Sequence, residues 1–432
     1  MTILVAAETE QDLLDRFQRA AFGYFLEYVN PDNGLVADTS RAGSPASIAV
    51  VGFALSCYPV GVERGWMTRA EATRLTLAAL DFFCASVQSA QPDATGYKGF
   101  YYHFLDMTTG RRSRRSELSL IDTTFLLAGV LTASVYYDRD SPCEGRIREQ
   151  ADRMVRRVDW RWGCNGAATA RQGWKPKSGF LHYGWEGYSE ASLLYALGLG
   201  SPTHPLADDS FAAWTATYQW ESIYDINLLY AGPLFIHQFS HAWIDFEGIQ
   251  DCFMRAKGSD YFENSRRATY VQQEYARRNP YGFKAYGADC WGFTANDGPG
   301  PLTMRVDGRK RRIFGYVARG VPYGPDDGTI GPAAALASLP FAPEISLSAL
   351  RHFCRHFPDM IENSRLPSGF NPTLARAGAS GWVAAGQFGL DQGIIVLMIE
   401  NYRTRMIWTL MRRCPDLRRG LLRAGFTGGW LS

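Results

Sequence analysis

No two of the eight cysteines in this 432-residue chain (57, 84, 143, 164, 252, 290, 354 and 414) form a CxxC pair. Their scatter argues against a zinc site or a dense disulfide framework and fits buried free thiols, so no metal is expected. Neither G-x-G-x-x-G nor G-x-x-x-x-G-K-[ST] occurs, so no nucleotide or other cofactor is expected, and the missing G-x-S-x-G leaves a serine hydrolase unsupported. A terpene-cyclase-like chemistry lacks its DDxxD metal motif. No run of about 20 uninterrupted apolar residues is present, so no membrane insertion is expected. The opening MTILVAAETEQDLLDRF has no basic n-region and too short an apolar stretch for a signal, which reads as cytoplasmic; a trimmed signal peptide would leave the same residues in a periplasmic protein. Charge of one sign is also lacking: 45 basic against 43 acidic side chains give +2, and no general field attracts nucleic acid. The runs RRSRR (111–115) and GRKRR (308–312) read as solvated turns, with steering of an acidic ligand as the alternative. Oligomeric state is not encoded in any recognisable pattern.

Aromatic residues are plentiful, at 14% within a 46% hydrophobic composition. They suffice for a sizeable core and also suit a carbohydrate cleft. Helical periodicity recurs throughout and predicts helices near 8–29, 45–57, 68–88, 116–137, 143–158, 189–198, 207–218, 231–240, 260–278, 329–338, 345–356 and 388–412. Start signals include Thr68 with Glu71, Ser116 before Glu117 and Ser189 before Glu190. Long, Gly-rich aromatic connections at 91–112, 160–188, 280–328 and 364–387 exceed the usual loop length, which marks them as functional, and KGFYYHFLD (98–106) and GFLHYGW (179–185) suit small hairpins. Twelve helices with long loops at one end predict an all-α (α/α)6 barrel, a six-hairpin toroid, although an irregular helical array would give the same pattern. No linker divides residues 1–432, so one domain is expected.

Acidic clusters lie in or beside the aromatic loops. In HFLD…SELSLIDTT, helix from residue 116 onward would separate Glu117 and Asp122 by about 140° around the axis, so that only one of them lines a cavity. In HYGWEGYSEASLLYALGLG (182–200), Ser189 as N-cap would place Glu190 in a first turn, where the helix dipole lowers a carboxyl pKa. From these residues alone, capping is the simpler role for Glu190. A general acid needs the opposite shift, which desolvation by Tyr183, Trp185 and Tyr188 or a nearby carboxylate would supply. In HQFSHAWIDFEG, His237, His241 and Asp245 repeat every four residues, a spacing compatible with a metal but better read as a packed, hydrogen-bonded segment. Asp326 and Asp327 stand in YGPDDGTIGP, and Asp391 enters an apolar helix through LDQG, where it must cap the helix or face a polar cavity. With no metal, nucleotide or activated Ser/Cys signal, paired carboxylates among aromatics point to glycoside hydrolysis.

The ordered stretches GLVADTS, SIAVVGFALSCYPVGVERGWMTR, YYHFLDMTTGRR, SELSLIDTTFLLAG, YSEA, HQFSHAWIDF, WGFTANDGP, DDGTIGPAAALASLPFAPE and FGLDQGIIVLMIENYRT span almost the whole chain. Together they resemble the bacterial glycoamylase-like glycoside hydrolases, a family that includes endo-β-1,2-glucanases and is related to the processing domain of cyclic β-1,2-glucan synthases. The resemblance implies an (α/α)6 barrel acting on a β-linked glucan, most simply β-1,2-glucan or its oligosaccharides. It implies Glu190 as general acid, Asp391 as the base of an inverting reaction, and Glu117 and Asp122 as further acids at the cleaved bond. His103, Asp106, Glu186, Asp245 and Asp327 are the accompanying polar candidates for substrate contact, and Tyr183, Trp185, Trp243, Trp291 and Trp382 the candidate sugar platforms, each of which could equally be core. A retaining transglycosylase and a non-catalytic glucan-binding protein are the alternatives.

Overall fold

The protein was analysed as a computed structural model, which describes residues 8–306, 308–374 and 380–432. It is mostly helical. In chain order the α-helices are α1 (Glu10–Glu27), α2 (Ile48–Glu63), α3 (Arg69–Ala85), α4 (Leu120–Tyr136), α5 (Pro142–Arg157), α6 (Trp160–Gly163), α7 (Ser192–Gly200), α8 (Ser210–Thr215), α9 (Cys252–Ala256), α10 (Tyr261–Arg278), α11 (Pro332–Ala337), α12 (Pro343–His356), α13 (Gly389–Thr404), α14 (Met406–Arg412) and α15 (Pro415–Arg423). Thr68 and Glu71 close the expected capping box on α3. Helix predicted over 231–240 is instead two 3-10 turns, Leu234–His237 and Ser240–Ala242. The long segment predicted from 388 breaks at Arg405, whose left-handed φ of 59° separates α13 from α14. Helix α15 was not anticipated.

Two kinds of helix alternate. Helices α2, α4, α7, α11 and α13 are apolar on nearly all sides and buried, the expected pattern for helices enclosed by others. Helices α1, α5, α10 and α12 carry one buried stripe; in α5 it is Ile147, Ala151, Met154 and Val155, at helical spacing. Helix α13 packs on α1, α2 and α11, and α3 on α5.

Two crossings depend on glycine. At the α2/α4 crossing, a Cβ on Gly52 would stand 2.1 Å from the Phe125 carbonyl oxygen and one on Gly129 2.1 Å from that of Gly52. At the α7/α15 crossing, a Cβ on Gly420 would meet the Ala196 carbonyl at 1.7 Å. Any side chain here must force the helix backbones apart.

The strands are short. A five-stranded antiparallel sheet runs Gly96–Tyr97, Phe100–Tyr102, Leu118–Ser119, Gly173–Lys175, Gly179–Phe180 in spatial order. KGFYYHFLD and GFLHYGW each supply strands to it or to the neighbouring pair Ala46–Ser47/Phe104–Leu105. Tyr102 pairs with Leu118, which sets His103 opposite Glu117 at the edge of the ladder, where the His103 N–H donates to the Glu117 carbonyl at 2.9 Å. A second ribbon, Leu302–Val306 with Arg309–Ile313, stands out into solvent.

Gly52→Ala should destabilise the protein by about 2–3 kcal/mol, because two buried helix backbones must separate. Denaturant unfolding checks this, and a loss below about 0.5 kcal/mol would contradict the close-crossing account.

Candidate active site

A cavity of about 720 Å³ opens where the buried helices begin, within the usual range for a ligand pocket. Its wall takes Asp122 and Phe125 from the first turns of α4, Ala333 and Ala334 from α11, Leu390, Asp391 and Ile394 from α13, and Glu190 from just before α7. The remainder comes from loops, including Asp38, Arg41, His103, Phe104, Arg114, Asp297, Tyr316, Ser368 and Phe388. Helix N-termini carry unpaired N–H groups and partial positive charge, so a cavity at this end favours negative charge.

Five carboxyl groups line that cavity, of which Asp297 is paired with Arg41. Glu190 does not lie in a helical first turn, because α7 begins at Ser192 with Ala191 as its cap residue. The Ser189 hydroxyl accepts the Ala191 N–H at 3.4 Å, while Ser240 ties the segment down by donating to the Glu190 carbonyl at 2.8 Å and accepting from the Leu193 N–H at 3.2 Å. Burial, with a smaller contribution from the Asp122 charge, raises the Glu190 carboxyl to about 7 against one opposing backbone hydrogen bond. Asp391 stands in the first turn of α13, with Oδ2 buried and unpartnered among the described residues. Burial raises it to about 7 as well; the Ser368 hydroxyl opposes the rise and Asp38 adds to it. The Asp38 carboxyl is raised to about 6, chiefly by burial and against the attraction of His103, Arg114 and Arg41. Its carbonyl accepts the Gly389 N–H at 2.8 Å, which fastens its loop to the start of the helix that carries Asp391.

Asp122 belongs to a second constellation. The helix starts at Leu120 rather than near 116, with Ser119 as N-cap accepting from the Asp122 N–H at 3.2 Å. Glu117 therefore precedes the helix, the expected 140° separation does not apply, and both carboxylates reach His103: Nδ1 lies 3.0 Å from Glu117 Oε1 and 3.5 Å from Asp122 Oδ2. Burial opposes charge on the imidazole, but Asp122, Glu117 and Asp38 overcome it and raise His103 to about 9. The same bond holds Glu117 at about 2 despite partial burial. His103 stacks on Phe104 with centroids 3.9 Å apart, so a cationic imidazolium stands in the wall between Asp122 and the aromatic ring. Glu117 lies behind His103 and is not among the lining residues.

The structure therefore gathers Glu190, Asp391, Asp122 and His103 in one cavity and leaves the other sequence candidates outside its wall. Asp106 is exposed and closes a turn, accepting from the N–H groups of Thr108 and Thr109. Glu186 is exposed and accepts from Thr169, and Tyr183 is 70% exposed on the hairpin side. Trp185 packs partly against the core. Trp243 and Trp291 are both 0% exposed, the former wedged on Phe53 and Phe125 with its indole N–H donating to Ser56, so neither offers a face to a sugar. Asp245 is consumed by Arg405 and Arg412, and Asp327 by Arg319, in an ion pair with no exposed side-chain surface on either partner. Trp382 sits in the two-residue strand that pairs with Phe370–Asn371. His237 and His241 are buried, bonded to the Ala231 carbonyl and the Ser265 hydroxyl, and pushed down to about 4 and 3 by burial, which is the packed-segment reading.

Sequence reasoning passed over Asp38, Arg41, Asp297, Tyr316 and the phenylalanine wall of Phe104, Phe125, Phe235, Phe239 and Phe388. Asp38 had a visible signal, an acid inside GLVADTS, whereas the search for platforms favoured tryptophan. Arg114, read as part of a solvated turn, instead lines the cavity, with its guanidinium 5.7 Å from the Phe104 ring.

Comparison with known proteins follows the same lines. The family model described as "Glycoamylase: Putative glucoamylase" matches residues 182–415, more than half of the chain. A crystal structure of a protein with that description from Bacteroides uniformis ATCC 8492 superposes with a TM-score of 0.86 at 31% identity, covering 98% of this chain and 99% of the other. The crystal structure of a β-1,2-glucanase from Parabacteroides distasonis gives 0.84 at 26% identity, covering 97% of this chain and 60% of that one. The curated exo β-1,2-glucooligosaccharide sophorohydrolase (non-reducing end) of Parabacteroides distasonis is 27% identical over 449 residues, which cover 96% of this chain and 58% of the relative. The chain thus spans somewhat over half the length of that curated protein. The family match over half the chain and the end-to-end likeness to the Bacteroides protein show that the chain belongs to the glycoamylase family.

Proposed function

We propose that the protein is a glycoside hydrolase acting on a β-linked glucan, β-1,2-glucan or its oligosaccharides, with Glu190 as general acid and Asp391 as general base. The observation that carries this reading is the pair of carboxyls in one cavity, each raised to about 7 by burial and each answering to a different neighbour, Asp122 for Glu190 and Asp38 for Asp391. A proton donor to the leaving oxygen must be protonated near neutrality, and a partner that activates water must be able to ionise there. The names of the Parabacteroides relatives support the β-1,2 linkage. The reaction is inverting on this reading, since Asp391 and Glu190 serve a water and a leaving group on opposite faces of the sugar. His103 is held cationic by three carboxylates, and the Asp122 charge beside the acid helps Glu190 retain its proton.

The architecture proposed with this function is an (α/α)6 barrel formed by residues 1–432 as one domain. Its support is the alternation of enclosed helices with one-striped helices, and the gathering of the N-terminal ends of α4, α7, α11 and α13 around the cavity.

A glycan panel with reducing-end and product-length readout should show release of short β-1,2-linked oligosaccharides, with the α-anomer formed first. Glu190→Gln should lower kcat by about a thousandfold, as loss of a general acid does. Cleavage of α-linked glucans alone, no cleavage at all, or an unchanged Glu190→Gln enzyme would overturn the assignment, and initial β-anomer release would overturn inversion.

The pH profile of kcat/KM should be bell-shaped around 7. The negative charge of Asp38 raises Asp391, so Asp38→Asn should lower the pKa of the base and move the acid-side limb about half a unit to one unit toward lower pH. An acid limb that stays in place or moves upward would show that Asp391 is not the base read by that limb.

A further inference from the structure

The loop between the cavity and the solvent-exposed ribbon holds an unusual residue. Tyr316 lines the cavity, yet 62% of its surface is exposed, so its ring is not there to fill the core. It is nonetheless fixed. Its ring stacks on Phe388, the cap residue of α13, with centroids 6.1 Å apart and planes inclined by 24°. The Arg41 guanidinium lies 5.3 Å from that Phe388 ring, donates to the Ala385 carbonyl at 2.7 Å and forms an ion pair with Asp297. Arg41, Phe388 and Tyr316 are thus one connected roof joining the 38–45 loop, the start of α13 and the 297–316 loop.

The base of that last loop is clamped by a buried ion pair. Arg319 donates from Nε and Nη2 to the two oxygens of Asp327, both at 2.9 Å, and from Nη1 to the Asn296 carbonyl and side-chain oxygens at 2.9 and 2.8 Å. It also donates to the carbonyls of Phe314 and Gly315, while Asp327 Oδ2 accepts the Phe314 N–H at 2.8 Å. Val317–Ala318 then pairs with Ala295–Asn296. Backbone on both sides of Tyr316 is therefore pinned, which is more restraint than an exposed surface tyrosine needs. It borders the same cavity as Asp391, Asp38, Asp122 and Glu190, and a phenol keeps its proton near neutrality. A hydroxyl held protonated in such a setting is a donor, and a sugar hydroxyl is an acceptor in need of one.

We propose that Tyr316 is a substrate-positioning residue of the reaction assigned above, closing the cavity over the sugar at the cleaved bond with its ring and donating its hydroxyl to a sugar oxygen between Glu190 and Asp391. The proposal rests on the hydrolase reading. It separates two contributions: the ring supplies a face for the sugar in ground and transition states alike, and the hydroxyl fixes orientation as the bond breaks. The Arg319–Asp327 pair acts only through the loop it holds.

Kinetics of Tyr316→Phe and Tyr316→Ala on β-1,2-gluco-oligosaccharides of increasing length test it, with thermal unfolding as the check on folding. Tyr316→Phe should lower kcat by about tenfold with KM nearly unchanged, the effect of one lost directional hydrogen bond. Tyr316→Ala should add a rise in KM of about fivefold to tenfold from the lost ring. Both variants should unfold within a degree or two of wild type, because the side chain is largely exposed. If wild type cleaves the oligosaccharides while both variants keep its kcat and KM at every length, the positioning role is wrong and the hydrolase reading stands. If wild type cleaves no glucan, both fail together.

Discussion

A carboxyl group withheld from water resists ionisation, and this constraint organises the site. Glu190 and Asp391 share one cavity, and burial is the largest cause of each group's displacement from the ordinary carboxylate range to about 7. A backbone hydrogen bond at Glu190 and the Ser368 hydroxyl beside Asp391 pull in the other direction, so the acids are held between two opposing influences. The balance has a sign in stability. Glu190 and Asp391 bind their protons more tightly folded than unfolded, so their contribution is greatest below about pH 4, diminishes as pH rises and is gone above about 7, where the fold carries ionised, poorly solvated carboxylates. Glu117, at about 2, and His103, at about 9, run oppositely: the first contributes above the usual carboxylate pKa until pH falls through about 2, the second below the usual imidazole pKa until pH rises through about 9. The pair is therefore intact throughout the range in which the two raised acids change state.

Packing makes the arrangement achievable. Gly52 and Gly129 let α2 and α4 cross with backbones in contact, and Gly420 does the same for α15 against α7. Close crossings draw the enclosed helices together, and their N-terminal ends then converge on a cavity rather than on separate surfaces. On the solvent side, the Arg319–Asp327 pair fixes the loop that carries Tyr316 and Asp297. One ion pair at no exposure thus serves a loop at high exposure.

Much of this was legible in the sequence, for identifiable reasons. Enclosed helices announce themselves through uninterrupted apolar runs, and Thr68 with Glu71 marked the start of α3 by chemistry that needs no tertiary context. Asp391 in LDQG stood out because an unpaired charge entering an apolar helix demands an explanation. Other features escaped because they are set by contacts between distant segments. The true start of α4 at Leu120 follows from the pairing of Leu118–Ser119 with two other strands, which carries Glu117 off the helix and onto His103. Asp245 reads as a site acid until Arg405 and Arg412 come beside it from 160 and 167 residues away. Of the tryptophans proposed as platforms, Trp243 and Trp291 sit in the core because large aromatic surface is worth most when buried, and the cavity wall is built from phenylalanine instead.

The central claim is that Glu190 and Asp391 both titrate near neutrality in the free protein. Difference infrared spectroscopy of the carboxyl band, comparing wild type with Glu190→Gln and Asp391→Asn across pH, measures this directly. The account predicts that each substitution removes one protonated carboxyl whose midpoint lies near 7. Loss of groups that titrate near 4 in both variants would contradict it.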